Sequence, residues 1–231
     1  MEFTSKITVE LKQSVGTDMD ILAAARVSTG AASKGDKSDV GTINYLMRHR
    51  HGSPFEHALM TFYVHAPLFV FREWHRHRTW SFNEESARYK TLGPVFYLPR
   101  PERPMKKEDN WKAARPEFST VDSHVYESVC SQLAYSYRQS YDAYTSLLSL
   151  GIDPGLARDC LPVGIYSSMY ATCNPRSLMH FLSLRTHDQT ARDVSYPLWE
   201  IEVAAREMEA VFAKLFPWTY EAWLSNGRVA P

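Results

Sequence analysis

Residues 76 to 86 concentrate side chains that could do chemistry, in the run RHRTWSFNEES. Two arginines flank a histidine at its start, and two glutamates and a serine close it. The planar fork of arginine binds phosphate or carboxylate through paired hydrogen bonds. A serine beside a positioned base can instead attack an electrophilic atom. The run therefore indicates either an anion-binding site or a nucleophile.

The neighbours of Ser86 argue against a nucleophilic role. The segment lacks the G-x-S-x-G turn that exposes a nucleophilic serine. The nearest bases are Glu84 and Glu85, and a glutamate has a reference pKa of about 4.3. The arginines on either side are expected to lower the pKa of Glu84 further, because opposite charges favour the ionised form. We therefore expect the Ser86 hydroxyl to donate a hydrogen bond to a bound anion.

His75 and His77 form an H-x-H pair, a pattern that could indicate a metal site. On a helix these two side chains diverge, and no third ligand follows at helical spacing. We therefore expect no bound metal. Cys130, Cys160 and Cys173 are few, odd in number and irregularly spaced, so we expect them to be packing residues in a reducing compartment.

Further arginines stand in two later motifs. ARDCLP contains Arg158, and NPRSLMHFLSLR contains Arg176, His180 and Arg185. Each arginine could simply offset the negative end of a helix. Arginines in several segments are also what a site for several phosphate groups requires. The sequence leaves both explanations open.

The elements that must position these residues follow from hydrophobic periodicity. Alternation predicts strands, and apolar residues three and four apart predict helices. We interpret the chain as a single α+β domain over residues 1–231, with a mixed or antiparallel sheet and several long helices. The predicted strands are 7–11, 59–66, 87–99 and 164–173, and the predicted helices are 18–27, 43–50, 68–78, 121–151, a short one from 154, 176–185 and 196–216.

Local signals predict where some helices start. Asp39 is expected to cap the helix over 43–50, and Asn174 the helix over 176–185. The tetrapeptide SPFE predicts a capping box with Ser53 as N-cap. If 68–78 is one helix, the side chains at 76, 77 and 78 point about 100° apart and cannot all face one ligand. The polar segments 28–39 and 99–116 are predicted to be loops.

Composition excludes several classes of protein. The 44% of hydrophobic residues and 23% of charged residues are typical of a globular protein. The net charge of +0 gives no overall field that would attract nucleic acid or an anionic membrane. No apolar run approaches the roughly 20 residues that a membrane span needs, and no signal peptide is visible. We expect a cytoplasmic protein.

The motifs resemble those of one known family. RHRTWSFNEES is similar to the signature of flavin-dependent thymidylate synthases, which is Arg-His-Arg, seven residues, then Ser. The surroundings agree: ARVS, HGSPFEH, SFNEESARY, ARDCLP and NPRSLMHFLSLR all resemble the family, from about residue 20 to PWTYEAW. The resemblance implies a methyltransferase that makes dTMP from dUMP, with 5,10-methylenetetrahydrofolate as carbon donor and NADPH as reductant through bound FAD. It also implies a homotetramer with active sites shared between subunits.

The resemblance also implies roles for individual residues. His51 matches a histidine on the folate and nicotinamide side. Glu73 stands where many members have Gln, and His180 where many have Asn. The residues expected around FAD are Ser53, Arg76, His77, Arg78, Glu84, Asn174, Arg176 and His180. Those expected around dUMP are Glu73, Arg76, Ser86, Arg88, Arg158 and Arg185.

Methylation at C5 of uracil requires that carbon to become nucleophilic. No cysteine here has the Pro-Cys-His context of the conventional thymidylate synthases, which add a thiolate at C6. A cation at the uracil carbonyl could stabilise the anionic ring instead, and Arg185 is our candidate catalytic residue. The alternatives are another flavin reductase with the same anion site and a non-catalytic nucleotide- or RNA-binding module, which the zero net charge disfavours.

Overall fold

The computed structural model describes residues 1–30, 32, 35–109, 112 and 115–231. It has the predicted α+β fold. The chain forms two compact units, each built from separate stretches of sequence. The first unit comprises Met1–Thr8, His65–His75 and Asn83–Met169. The second unit comprises Val9–Val64, Arg76–Phe82 and Tyr170–Pro231.

The strands of the described residues form three sheets. One has four strands in the order β2-β3-β8-β4, β1 pairs with β5 in parallel, and β6 pairs with β7 in antiparallel orientation. The strands are β1 (Glu2–Thr4), β2 (Thr8–Val15), β3 (Leu59–Pro67), β4 (Ser81–Glu84), β5 (Val95–Tyr97), β6 (Lys106–Lys107), β7 (Phe118–Ser119) and β8 (Tyr166–Cys173).

The helices include the long segments that periodicity predicts. Two 3-10 turns, Ser53–Glu56 and Arg158–Cys160, supplement them. No helix in the described ranges is long and apolar enough to cross a membrane. The α-helices are α1 (Asp18–Arg26), α2 (Asp36–Arg48), α3 (Leu68–Trp74), α4 (Ser123–Ser149), α5 (Pro154–Ala157), α6 (Pro175–Arg185), α7 (Trp199–Leu215) and α8 (Pro217–Ser225).

The first unit has an aromatic core beneath α4. Phe96 of β5 stacks on Tyr137 of α4 with ring centroids 5.0 Å apart, and both side chains are buried with Ile165. A Cβ atom at Gly164 would lie 2.4 Å from the Tyr137 hydroxyl oxygen. Because real Cβ atoms do not approach so closely, residue 164 must be glycine for α4 to pack in this position.

The second unit is held by its helices. The apolar side chains of α6 and α7 form its interior, including Phe181 and Phe212. The start of α8 is fixed by the buried carboxylate of Asp18, which accepts hydrogen bonds from the backbone of Trp218 and from the backbone and hydroxyl of Thr219, the last at 2.6 Å. This cap satisfies backbone N–H groups that the first turn of a helix leaves without partners.

Two of the predicted helix caps are wrong. Helix α2 begins at Asp36 after Gly35, and Asp39 lies in its first turn, where its buried carboxylate pairs with Arg26. That ion pair takes the carboxylate that we expected to serve as a cap. Ser53 is the first residue of a 3-10 turn, and no side chain caps the turn. Of the predicted loops, residues 31, 33, 34, 110, 111, 113 and 114 lie outside the described residues.

The predicted helix over 68–78 is too long. Helix α3 ends at Trp74, so residues 76 to 78 follow it and the 100° argument does not apply to them. The predicted strand over 87–99 shrinks to β5 because residues 86 to 90 form a turn. Residues 81–84, which we left without regular structure, are β4. The predicted helix over 196–216 corresponds to α7, which ends before Pro217 because proline cannot donate the hydrogen bond that would continue it, and α8 was not predicted.

Candidate functional site

The predicted site residues fall into two groups, and each unit contains a cleft lined by some of them. The second unit holds His51, Ser53, Arg76, His77, Arg78, Asn174, Arg176, His180 and Arg185. The first unit holds Glu73, Glu84, Ser86, Arg88 and Arg158.

The cleft of the second unit has a volume of about 510 Å³ and lies at the N-terminal end of α6. Asn174 caps this helix as predicted, because its side-chain oxygen accepts a hydrogen bond of 2.8 Å from the Ser177 backbone N–H. The start of a helix carries partial positive charge and favours anions. The lining residues are Glu56, Thr79, Asn174, Arg176, Ser177, His180, Ala230 and Pro231.

Arg176 is the cation of this cleft. Its Nε donates a hydrogen bond of 2.7 Å to the Pro231 carbonyl oxygen, and its Nη1 lies 2.6 Å from a carboxylate oxygen of Glu56. A Cβ atom at Gly52 would lie 2.5 Å from the Arg176 Nε. Glycine at position 52 therefore leaves the space that the guanidinium occupies. With the helix N-terminus and His180, Arg176 suits a ligand that carries phosphate groups.

His77 is a buried histidine in contact with Arg185. The His77 residue is 5% exposed, and its Nε2 accepts a hydrogen bond of 3.1 Å from the Arg185 Nε. Its ring lies 4.9 Å from the Phe181 ring and 5.8 Å from the His180 ring, measured between centroids. Burial, with the Arg185 and His180 charges, lowers the His77 pKa from 6.5 to about 4. His77 is therefore neutral at pH 7, with Nε2 as an acceptor.

The other predicted residues of the second unit lie at its surface. Arg76, Arg78 and Ser53 are exposed. His51 is also exposed and belongs to an aromatic cluster in which the Tyr45 ring lies 4.3 Å from the ring of His49 and 5.8 Å from that of His51. These side chains can reach a ligand without first leaving a buried position.

The cleft of the first unit has a volume of about 340 Å³ and combines charged with apolar side chains. Arg158 lines it as a cation, and its Nε donates to the Gly155 carbonyl oxygen at 3.2 Å. Such a mixture suits a ligand with a phosphate at one end and a flat apolar part at the other. The lining residues are Leu68, Arg72, Glu84, Glu85, Ala87, Leu92, Arg158, Asp159, Leu161 and Val163.

The predicted direction of the Glu84 pKa shift is wrong. Burial raises the pKa of this carboxyl, and the nearby Ser167 hydroxyl and the charge of His75 offset the rise only in part. The His75 Nε2 lies 4.0 Å from a Glu84 carboxylate oxygen. Desolvation outweighs the nearby positive charge here because the carboxyl is partly buried.

Ser86 and Arg88 form a turn beside this cleft without lining it. The Ser86 hydroxyl oxygen accepts a hydrogen bond of 3.3 Å from the Arg88 backbone N–H, and the Ser86 carbonyl oxygen accepts from Tyr89 and Lys90, both at 3.1 Å. The Arg88 guanidinium lies 5.4 Å from the centroid of the Tyr89 ring. Ser86 therefore stabilises a turn through its own hydroxyl and carbonyl oxygens.

Sequence reasoning missed several residues that line the clefts. Thr79 and Ser177 were within the motifs, and the position of Ser177 in the first turn of α6 was a usable signal. Glu56 lies 120 residues from its partner Arg176, and no local pattern connects them. In the first unit, Arg72, Glu85 and Asp159 were missed. Arg72 lies in the last turn of α3, four residues before the run that begins at Arg76, and this proximity in sequence was the available signal.

Comparison with known proteins identifies relatives along the whole chain. Residues 10–218 match the family model described as "Thymidylate synthase complementing protein". The flavin-dependent thymidylate synthase of Streptomyces coelicolor is 51% identical over 238 residues, covering 100% of this chain and 96% of the relative. That of Tropheryma whipplei strain TW08/27 is 44% identical, covering 99% and 97%. The structure of the UMP/dUMP methylase PolB from Streptomyces cacaoi, bound with 5-Br UMP, is 47% identical and covers 100% of this chain and 99% of its own, with a TM-score of 0.93.

Proposed function

The chain belongs to the flavin-dependent thymidylate synthases, and on that basis we propose that it methylates dUMP to dTMP, with 5,10-methylenetetrahydrofolate as carbon donor and NADPH as reductant through FAD. Membership makes it an enzyme, a methyltransferase that depends on a flavin. One observation carries the proposal furthest: the Arg-His-Arg run and the end of α6 meet in the hydrogen bond from Arg185 to His77.

The residues of the second-unit cleft fit a flavin nucleotide. Arg176 and the start of α6 would hold its phosphate groups, with Asn174 and His180 beside them and Arg76, Arg78 and Ser53 at the surface. Arg176 would then exchange Glu56 or the Pro231 carbonyl for a phosphate oxygen. When bound, FAD supplies the electron transfer that a reductive methylation requires. The neutral His77 would orient Arg185 rather than carry charge itself.

We assign the phosphate of dUMP to residues of the first unit. Arg158 lines its cleft, and the turn of Ser86 and Arg88 lies beside it with a hydroxyl and a guanidinium. Charge-assisted hydrogen bonds from arginine hold phosphate with about twice the strength of neutral ones. Glu73 of the same unit would complete this site at a ribose hydroxyl or the uracil edge, where a carboxylate is not repelled by phosphate. Arg76 remains a proposed dUMP ligand on the basis of the motif alone.

Arg185 is the proposed catalytic residue. Its guanidinium stays charged at any working pH and would stabilise negative charge on the uracil ring as C5 becomes nucleophilic. A thiolate at Cys173 could not replace this effect, because that thiol is fully buried and burial raises its pKa well above the ordinary value. Cys173 therefore stays protonated and supplies no thiolate.

His51 is proposed to serve the folate and nicotinamide side of the reaction. It lies at the surface of the second unit beside Tyr45 and His49. Flat aromatic side chains can stack on a pterin or a nicotinamide ring. The NADPH and methylenetetrahydrofolate assignments rest on family membership and on this exposed aromatic cluster.

A second candidate substrate is UMP. The relative PolB is called a UMP/dUMP methylase, and it is nearly as similar to this chain as the Streptomyces thymidylate synthase. Product analysis tests both candidates: purified protein is incubated with methylenetetrahydrofolate, NADPH and either nucleotide, and the methylated product is identified by mass spectrometry. Methylation of dUMP supports the main proposal, and methylation of UMP adds the second. NADPH oxidation without either product would indicate another flavin reductase.

Arg158→Ala and Arg88→Ala should each weaken dUMP binding by at least about 1.5 kcal/mol, the lower end for hydrogen bonds to charged groups. Calorimetric titration of dUMP measures this loss. Reduction of the flavin by NADPH without dUMP should survive in both variants. Arg138→Ala is the matched control, because Arg138 lies in the same unit but its guanidinium faces the Phe3 ring at 5.4 Å. Unchanged dUMP affinity in a variant would remove that residue from the phosphate site.

We propose that the active enzyme is a homotetramer with sites shared between subunits. In that arrangement residues of one subunit complete the dUMP site of another. Light scattering of the wild-type protein should give a mass near four times 26.5 kDa. Mixing the Arg158→Ala and Arg185→Lys variants should restore part of the turnover, because some sites would then receive both native residues. A monomeric mass in an active preparation would contradict the proposal.

A further inference from the structure

Arg228 is a buried cation that the proposed chemistry does not use. It follows α8 in the second unit and is 4% exposed. Its backbone has φ of +59°, in the left-handed region that residues other than glycine rarely adopt. Burying a charge and holding this backbone both cost free energy. Interactions in the folded protein must offset that cost, and the contacts of the guanidinium show which parts of the unit Arg228 connects.

The guanidinium of Arg228 joins three elements. Its Nη1 donates to a Glu209 carboxylate oxygen of α7 at 2.8 Å and lies 3.2 Å from an Asp188 carboxylate oxygen. Its Nη2 donates to the Thr186 hydroxyl at 2.8 Å. The guanidinium carbon also lies 4.2 Å from the centroid of the Trp223 ring of α8. Two carboxylates balance the charge, so the guanidinium is fixed in one orientation.

Two of these contacts fall on either side of Arg185. Thr186, which Nη2 of Arg228 contacts, is the residue directly after Arg185 and ends α6. Ser183, two residues before Arg185, donates its hydroxyl hydrogen bond to the Arg228 carbonyl oxygen. The Thr186 hydroxyl donates to the Leu182 carbonyl within α6, and the single Ser183 hydroxyl hydrogen is shared between the carbonyls of Arg228 and Met179. The last turn of α6 is therefore held from both sides of Arg185.

The chain of contacts continues from Arg185 to the Arg-His-Arg run. The Nε of the Arg185 side chain donates a hydrogen bond of 3.1 Å to the His77 Nε2. The backbone of Arg185 is thus fixed through Arg228, and its side chain through His77. A charge that stabilises a transition state must be held within about 0.5 Å of its productive position.

We propose that Arg228 is a positioning residue for Arg185: it fixes the end of α6 so that the Arg185 guanidinium is aimed before substrate binds. A purely structural role, anchoring residues 226–231, would lower stability on mutation but leave turnover by the folded protein unchanged. The catalytic consequence rests on the proposed function, whereas the placement of Arg185 can be tested without substrate.

The first experiment separates turnover from stability. Arg228→Met should lower kcat by about tenfold to 100-fold, the effect of a small misplacement of a catalytic group, with a much smaller change in KM for dUMP. Asp18→Asn is the control, because it weakens the cap of α8 without touching residues 183 to 186. It should lower the melting temperature and leave kcat unchanged. A lower melting temperature with unchanged kcat in Arg228→Met would overturn the proposal.

A matched pair at position 186 covers the case in which Arg228→Met does not fold. Thr186→Val keeps the shape of the side chain but removes the hydroxyl that Arg228 contacts. Thr186→Ser keeps the hydroxyl. We expect kcat to fall in the valine variant and to recover in the serine variant to within about threefold of wild type. Equal kcat values in the two variants would refute a role for this contact.

A double-mutant cycle tests whether Arg228 acts through Arg185. In an Arg185→Lys background, Arg228→Met should cost less than about twofold in kcat, because the group that it positions is already compromised. The same fold-loss in both backgrounds would show independent roles and overturn the proposal.

The last readout needs no turnover. Nuclear magnetic resonance of the His77 imidazole reports the Arg185 charge, which contributes to the low pKa of that ring. Arg185→Met should raise the His77 pKa, and Arg228→Met should raise it in the same direction, while Asp18→Asn should not. A shift in Arg228→Met supports the positioning even if wild-type protein makes no dTMP, which would refute only the proposed function. An unshifted His77 in Arg228→Met refutes the positioning.

Discussion

Arg185→Lys should lower kcat by about 100-fold or more, while dUMP affinity falls far less. Lysine keeps the positive charge but loses the fork and the Nε–H that donates to His77 at 3.1 Å. Without that hydrogen bond the ammonium is free to move away from the uracil carbonyl. The loss should therefore fall on the transition state, where charge builds on the ring, and spare the ground-state complex.

Steady-state kinetics combined with calorimetric titration of dUMP measures the two effects separately. Arg192→Lys is a matched control, since Arg192 lies seven residues further on and pairs at the surface with Asp193. It should retain wild-type kcat. If Arg185→Lys loses dUMP affinity and kcat/KM equally with kcat intact, Arg185 contributes uniform binding and is not the catalytic cation.

Lowering the pH from 6.5 towards 4 should destabilise the protein through His77. The folded ring has a pKa of about 4, against an ordinary value of 6.5, so in this window the unfolded chain binds a proton that the folded protein does not. Stability from this group is complete above about pH 6.5 and is lost as the pH falls to about 4. A displacement of this size corresponds to roughly 3 kcal/mol in the free energy of unfolding.

The His77 contribution must be measured as a difference between variants. Burial raises the pKa values of Glu84 and Asp18, so these carboxyls bind protons more readily in the folded protein and contribute more stability as the pH falls. The lowered pKa of His65 acts in the same direction as that of His77. Urea denaturation of wild type and His77→Asn at pH 4.5 and 7 isolates the one group. His124→Asn, on the exposed start of α4, is the control. Parallel stability curves for wild type and His77→Asn would contradict the prediction.

Elements with strong local signals were predictable from sequence. The Asn-Pro start of α6 and the long amphipathic helix α4 agree with prediction, and Gly151 after α4 adopts φ of +75°. Helix ends set by tertiary contacts were not. Asp39 looked like a cap because its type suits one, but Arg26 from another helix takes its carboxylate. The apolar pattern of α3 continues past Trp74, and nothing local marked the end of the helix there.

The candidate site was predictable in its residue types but not in its environment. Motif resemblance selected Arg176, His77 and Arg185. In the structure Arg176 lines a cleft, and the buried His77 ring accepts a hydrogen bond from Arg185. The partner of Arg176, Glu56, comes from a turn far away in sequence. The raised pKa of Glu84 could not be predicted either, because burial depends on the whole fold while charged neighbours are visible in the sequence.

Gly52 offers a way to engineer the cleft without altering any group that contacts a ligand. Its φ of −77° is open to every amino acid, so the backbone does not demand glycine. The restriction is spatial: a Cβ atom would lie 2.5 Å from Arg176 Nε and 2.8 Å from the Pro231 oxygen. Alanine, serine and valine at position 52 would therefore form a graded series of obstructions that displaces the guanidinium by increasing amounts. Such a series would tune cofactor retention by side-chain volume alone, with charge held constant.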